Sequence, residues 1–312
     1  MGLFLVVLMY ALWSSVFSLG KIALQYSPPI FLTGFRMTLA GIILVGYLAL
    51  RSQSSFKLTK KQLLSLGLLS FFSIYLTNIL EFWGLQYLTA AKTCFIYSLS
   101  PFFAALFSYL HFGEKMTRRK WLGLSIGFCG ILPVLLTQNG AEELFSLSNF
   151  LSWPTLAIAG AALSSVYGWV LLRLLVKNET ISPLMANGSS MLIGGLLAFI
   201  HSFFVDTTAS FTLSSDQAWP LLQAVLLMTL VSNIICYNLY GVLLKRFTAT
   251  FLSFAGLLSP IFASLNGWLF LGERPDPLIF ASTGVVLIGL GIVYSSELKT
   301  AALTNKPVVT EN

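Results

Sequence analysis

The sequence predicts an all-α polytopic membrane protein of ten transmembrane helices, arranged as two inverted five-helix repeats. Three observations predict it. The chain of 312 residues is 56% hydrophobic and only 9% charged, where soluble domains run near a quarter charged. Its apolar residues gather into ten runs, most of them near the ~20 residues that a helix needs to cross a bilayer. Motifs of the first half return in the same order in the second.

The runs lie near 3–20, 30–50, 63–83, 89–111, 120–137, 154–174, 184–204, 219–241, 248–271 and 278–296. Lipid satisfies no backbone polar group, and the runs are too long for barrel strands, so each is expected to be a helix. The first run is apolar from the start and lacks a basic leader, so it is expected to stay as a span. The polar tail "TAALTNKPVVTEN" is expected to be disordered. The implied organisation is a first repeat over 1–139, an external linker over 140–153, a second repeat over 154–297 and a cytoplasmic tail over 298–312.

Lys and Arg set the orientation. Alternate loops carry Arg51, Lys57, Lys60 and Lys61, then Lys115, Arg118, Arg119 and Lys120, then Arg173 and Lys177, then Lys245 and Arg246. The opposite loops hold mainly Lys21, Lys92 and Arg274, and they collect acids such as Glu142, Asp206 and Glu273. This bias puts both termini in the cytoplasm of a multi-pass protein in a bacterial inner membrane. The net charge of +7 therefore reflects topology, and no nucleic-acid partner is expected.

The repeat is specific. "TNILEF" at 77–82 answers "SNIICY" at 232–237, and "SSVF" at 14–17 answers "SSVY" at 164–167. Ser27-Pro28 answers Ser182-Pro183. "TAAKTCFIYSLSPFFAALFSYLHFGE" at 89–114 answers "TATFLSFAGLLSPIFASLNGWLFLGE" at 248–273. Five helices per repeat is an odd number, so the second half enters the membrane from the opposite side. Inverted halves are a device of secondary transporters, because they allow mirror-related inward- and outward-open states.

Three stretches carry a family resemblance: "TGFRMTLAGIIL" in the second span, "SPFFAALFSYLHFGEKMTRRKWLGLSIGFCGILPVL" across the fourth and fifth, and "SPIFASLNGWLFLGE" in the ninth. With these the chain resembles the EamA-type branch of the drug/metabolite transporter superfamily over nearly its whole length. The resemblance implies ten helices, a duplicated unit and alternating access through a central cavity. It also implies a substrate among amino acids, drugs and other metabolites. In general look the chain is similar to the S-adenosylmethionine/S-adenosylhomocysteine transporters of intracellular bacteria.

Polar residues inside the spans mark the candidate site. On a wheel of 100° per residue, Ile74, Thr77, Asn78, Glu81 and Leu85 share one face of the third span. Thr229, Ser232, Asn233, Cys236 and Tyr240 share one face of the eighth. Each stripe is expected to face the interior or a wet cavity. Glu81 aligns with Cys236, so the carboxylate is an asymmetric addition to a symmetric frame. It could be protonated and couple transport to protons, pair with Lys92 or Arg36, or bind a cationic substrate. An ordinary helix–helix ion pair would also account for it. Lys92 could reach Glu81 across a hairpin or snorkel to the interface. Arg36 could hold a substrate carboxylate or brace backbone carbonyls.

Five aromatics lie mid-span beside the stripes: Trp13, Tyr75, Tyr97, Trp169 and Tyr237. Each could stack on a flat ring or face a cation, or simply pack. As a set with Glu81 and Lys92 they suit a zwitterionic, ring-bearing, partly cationic ligand. S-adenosylmethionine, exchanged for S-adenosylhomocysteine, fits; an aromatic amino acid or a cationic drug, exported with protons, would too. Pro101 and Pro260 occupy matching sites where the bundle could flex or hold a static kink. The glycines of "GLSIGFCG" and "STGVVLIGLG" are expected to permit close helix packing.

Other classes fit poorly. The sequence has no Walker A motif, no GxSxG elbow and no HExxH, and only two histidines, so an enzyme is not expected. The three cysteines have no metal-ligand spacing, and no metal or cofactor is expected. A non-transporting scaffold or receptor is the bland alternative. Ten helices would enclose a complete inverted pair, so a monomer would suffice.

Overall fold

A backbone inside a bilayer closes its hydrogen bonds within helices, and every regular element among the described residues is helical. The computed structural model describes residues 2–51, 58–88, 93, 96–139, 152–177, 181–206, 215–271 and 278–304. Six helical stretches in it are long and apolar enough to cross a membrane: Gly2–Leu24, Pro29–Arg51, Lys60–Tyr87, Trp153–Lys177, Pro183–Val205 and Ala218–Leu243.

The first span is broken once, into α1 (Gly2–Trp13) and α2 (Ser15–Leu24). The second is α3 (Pro29–Arg51). The third runs from α4 (Lys60–Leu69) through a π-helical turn (Ser70–Leu76) into α5 (Thr77–Tyr87). After it come α6 (Ser100–Phe112) and α7 (Arg118–Asn139). The second half opens with α8 (Trp153–Lys177) and α9 (Pro183–Val205). Then α10 (Ser215–Met228) passes through a second π-helical turn (Thr229–Cys236) into α11 (Tyr237–Leu243). Next, α12 (Ala249–Ala255) continues through a short 3₁₀ turn into α13 (Ser259–Leu271). The last helix is α14 (Leu278–Thr304).

Three expectations are corrected. The third and eighth spans do not keep 100° per residue, because each contains a π turn, and its wider winding rotates the residues that follow. Pro101 and Pro260 do not kink the middle of a helix. Each is the second residue of a new segment, where its missing N–H and fixed φ cost nothing. The tail is not disordered from residue 300, since α14 continues to Thr304.

Packing joins spans of the two halves, three of them to their sequence counterparts (α3–α9, α7–α14 and α6–α12) and two crosswise. α3 lies along α9, α7 along α14, α12 against α6, α8 against α5, and α10 against α2. Glycine makes the closest of these approaches possible. A Cβ on Gly41 would stand 2.4 Å from the Leu192 backbone N, and one on Gly289 would stand 2.6 Å from the Gly123 carbonyl O. The "GLSIGFCG" and "STGVVLIGLG" stretches thus serve close packing of α7 on α14.

Caps fix the segment ends. Ser182 accepts from the Met185 N–H at the start of α9, and Thr248 accepts from the Phe251 N–H at the start of α12. α6 ends at Gly113, whose φ of 64° suits glycine. The turn places Glu114 against Arg173 of α8 in a two-pronged ion pair of 2.9 and 2.8 Å. The Arg173 guanidinium also lies 4.5 Å over the Phe112 ring.

Candidate substrate cavity

Thr77, Asn78 and Glu81, just after the first π turn, and Ser232 of the second line one cavity. A π turn leaves backbone carbonyls in need of donors, and a carboxamide one turn later supplies them. Asn78 donates through Nδ2 to the Ile74 carbonyl at 2.8 Å, and Asn238 donates to the Ile234 carbonyl at 2.8 Å. The first of these bonds turns the Asn78 Oδ1 outward, where it accepts from Arg36 Nη2 at 2.7 Å. Arg36 is only 2% exposed, and its guanidinium lies 5.0 Å over the Phe82 ring. Its Nε has no hydrogen-bond partner among the described residues.

One turn beyond Asn78, half-buried Glu81 lines the same cavity. Its Oε2 accepts from the Tyr97 hydroxyl at 2.5 Å. Among the described residues Glu81 has no ion pair with Arg36. Lys92, the other expected partner, lies outside the described residues.

Much of the rest of the lining is aromatic. Trp169 of α8 stacks on Tyr240 of α11 with ring centroids 4.1 Å apart. Trp13 meets Trp169 edge-on at 5.7 Å and Tyr237 at 5.3 Å. Tyr10 joins the cluster beside Trp13, and its hydroxyl donates to the Leu252 carbonyl at 2.7 Å. Ser100, Ser253 and Ser259 add small polar groups to the lining. A cavity built this way can hold a ligand that is charged at one end and flat and apolar at the other.

Of the residues expected from sequence, Trp13, Asn78, Glu81, Tyr97, Trp169, Tyr237 and Tyr240 come together on the cavity wall. Two stand elsewhere. Tyr75 belongs to the first π turn, and its hydroxyl lies 3.0 Å from Nδ1 of His201 on α9. Asn233 turns to α3, with Nδ2 at 2.8 Å from the Met37 Sδ. Its neighbour Ser232 faces the cavity instead. Tyr10, Phe17, Ser100, Ser165 and Ser259 also line the cavity, although the polar stripes of the sequence do not point to them. The signal for most of them was present: Phe17 and Ser165 belong to the SSVF/SSVY pair, and Ser100 and Ser259 to the matched Ser-Pro pairs. These had served only to align the halves.

The model of the EamA-like transporter family matches the chain over residues 1–136 and 152–295. The chain belongs to this family. It is 40% identical over 300 residues to a protein of Chlamydia muridarum named S-adenosylmethionine/S-adenosylhomocysteine transporter, covering 96% of this chain and 93% of that one. A Chlamydia trachomatis protein of the same name is also 40% identical, with 90% of its length covered. The Escherichia coli inner membrane transporter YedA, described as uncharacterized, is 24% identical over 306 residues, covering 96% of this chain and 92% of that one. A crystal structure at 16% identity shares the fold with a TM-score of 0.74, covering 95% of this chain and 96% of that one.

Proposed function

We propose that this member of the family exchanges S-adenosylmethionine for S-adenosylhomocysteine across the bacterial inner membrane by alternating access. The observation that carries the reading is the cavity itself. A carboxylate and a guanidinium share its lining with an aromatic cluster, and both halves of the chain contribute. Adenine offers a ring to the Trp13, Trp169, Tyr237 and Tyr240 side. The positive end of the ligand turns to Glu81, held by Tyr97. Asn78 and Lys92 complete the set of substrate contacts, and Tyr75 and Asn233 support it from behind the wall. The 40% identity to the Chlamydia proteins supports the choice of ligand.

The frame we propose is ten spanning helices in two inverted repeats, over 1–139 and 154–297, with an external linker over 140–153. Both termini are cytoplasmic, and a monomer suffices. Three features support it: the two stretches matched by the family model, the packing of three spans on their counterparts with two more packed crosswise, and a π turn in each half. One half rocks against the other around the fixed site. S-adenosylmethionine carries a sulfonium that S-adenosylhomocysteine lacks. Each exchange therefore moves a net positive charge, and a membrane potential negative inside drives uptake.

A proton-coupled exporter of amino acids or drug-like solutes is the second reading. A half-buried carboxylate with a hydroxyl donor, as at Glu81 and Tyr97, is a fit proton carrier. Uptake of labelled S-adenosylmethionine into proteoliposomes preloaded with S-adenosylhomocysteine separates the two. Exchange predicts saturable uptake that needs the internal solute and grows with an inside-negative potential. Uptake abolished by a protonophore while an inside-negative potential is clamped would select the proton reading. No uptake by protein shown to be inserted would refute both the ligand and the exchange.

A further inference from the structure

Arg36 and Glu81 set opposite charges on one wall, and Asn78 fixes the distance between them. Asn78 takes the Arg36 Nη2 on its carboxamide oxygen. Glu81 follows three residues later on α5, so the Cβ atoms of the two lie about 5–6 Å apart. Each charge has a neutral partner: Asn78 for Arg36 and Tyr97 for Glu81. Neither is neutralised by the other through a direct ion pair among the described residues. The 2% exposed Arg36 lines the cavity with its Nε unbonded among the described residues. A buried guanidinium held that way is costly unless an anion arrives to meet it. The cavity is the place from which one can come.

We infer that this wall is a clamp for an α-amino-acid group: Arg36 receives the ligand's α-carboxylate, and Glu81 receives its α-ammonium. The inference rests on the proposed exchange of S-adenosylmethionine for S-adenosylhomocysteine and says which part of those ligands is read. The two share their amino-acid end and their adenosine, and differ by one methyl group and the charge on sulfur. An exchanger must bind both. A carboxylate reserved for the sulfonium would hold one and release the other. A carboxylate on the shared ammonium serves both. The bidentate fork of Arg36 suits a planar carboxylate, and the aromatic wall is left to the adenosyl group.

The test is competition against labelled S-adenosylmethionine bound to the purified full-length protein in nanodiscs. The competitors are S-adenosylhomocysteine, decarboxylated S-adenosylmethionine and methylthioadenosine. S-adenosylhomocysteine should compete within a few-fold. The other two lack the carboxylate or the whole amino-acid end, and should be weaker by roughly 30-fold or more, as expected when one partner of a buried charge contact is removed. Competition by either of them as strong as that of S-adenosylhomocysteine would overturn the clamp, and this needs no variant. Arg36→Gln should then weaken S-adenosylmethionine to the level of its decarboxylated form and leave the decarboxylated form unchanged. Equal weakening of all ligands by Arg36→Gln would make Arg36 a brace instead. Failure of the wild type to bind S-adenosylmethionine at all would remove the transport reading beneath the clamp, a result distinct from either.

Discussion

Two segments of matching sequence meet the same cavity and give it different chemistry. "TNILEF" at 77–82 follows one π turn, and "SNIICY" at 232–237 ends the other. In both spans an asparagine satisfies carbonyls of the widened turn. There the likeness stops. Glu81 is matched by Cys236, which is fully buried with its sulfur 3.6 Å from the Met9 carbonyl. Asn78 holds Arg36, whereas Asn233 meets the sulfur of Met37. At the spacing that pairs Ser27-Pro28 with Ser182-Pro183, the counterpart of Arg36 is Met191, buried in the core. The shared part is backbone geometry, which the proposed rocking of two halves needs in duplicate. The unshared part is charge, which a ligand with distinct ends needs only once.

The largest expected effect comes from breaking that asymmetry. Glu81→Gln keeps the shape and removes the charge. Transport of S-adenosylmethionine at low concentration should fall roughly 30-fold or more, the scale of one lost partner in a buried charge contact. Cys236→Ser changes the matching position by one atom and should alter transport less than about twofold, in line with a change away from the ligand. Initial rates over a range of concentrations check both. Equal losses in the two variants would mean that both π segments contact the ligand, and the division into frame and charge would fail.

The frame makes the opposite prediction. Gly41 and Gly46 both lie on α3, yet a Cβ at Gly41 meets the Leu192 backbone while one at Gly46 meets nothing within 4 Å. Gly41→Ala should destabilise the protein by about 1–3 kcal/mol, the usual cost of overpacking. Gly46→Ala should be neutral or stabilising by up to about 1 kcal/mol, because alanine is the better helix former. Thermal unfolding in detergent reads the difference. The order of preference among ligands should stay unchanged in Gly41→Ala, since the charged wall is intact. A changed preference would tie selectivity to the α3–α9 crossing.

The sequence made part of this legible. Long apolar runs announced the helices, because few other structures satisfy a backbone in lipid. The Gly113-Glu114 pair stood out in both halves, and the glycine's positive φ accounts for the first. Glu81 was conspicuous because charge inside a span is rare. What stayed hidden was winding. Hydrophobic periodicity does not distinguish a π turn from an α turn over seven or eight residues, so the 100° wheel grouped Asn233 and Cys236 with Ser232. In the structure Ser232 lines the cavity, and Asn233 and Cys236 point to Met37 and Met9. Tyr75 was expected at the site as an aromatic lying mid-span beside the stripe, and it sits inside the first π turn. Tyr10 carried no signal at all. An aromatic in a span can face lipid, a helix or a cavity, and its spacing is alike in each case.

A smaller loss than at Glu81 is expected at Tyr97, and it sharpens the comparison further. At the spacing that pairs Ser100-Pro101 with Ser259-Pro260, the counterpart of Tyr97 is Gly256, and both line the cavity. One half therefore supplies a hydroxyl to Glu81 where the other supplies bare backbone. Tyr97→Phe removes that donor and keeps the ring, which packs edge-on against Phe17 at 6.2 Å. A single hydrogen bond to a group that can still reach water or ligand contributes about 1 kcal/mol. Apparent affinity for S-adenosylmethionine should therefore weaken roughly fivefold, with the maximal rate retained. In a Glu81→Gln background the same change should add almost nothing, because the hydroxyl acts through the carboxylate. Full additivity of the two substitutions would show that Tyr97 meets the ligand directly, and that the neutral half of the cavity has a closer equivalent of this wall than Gly256 suggests.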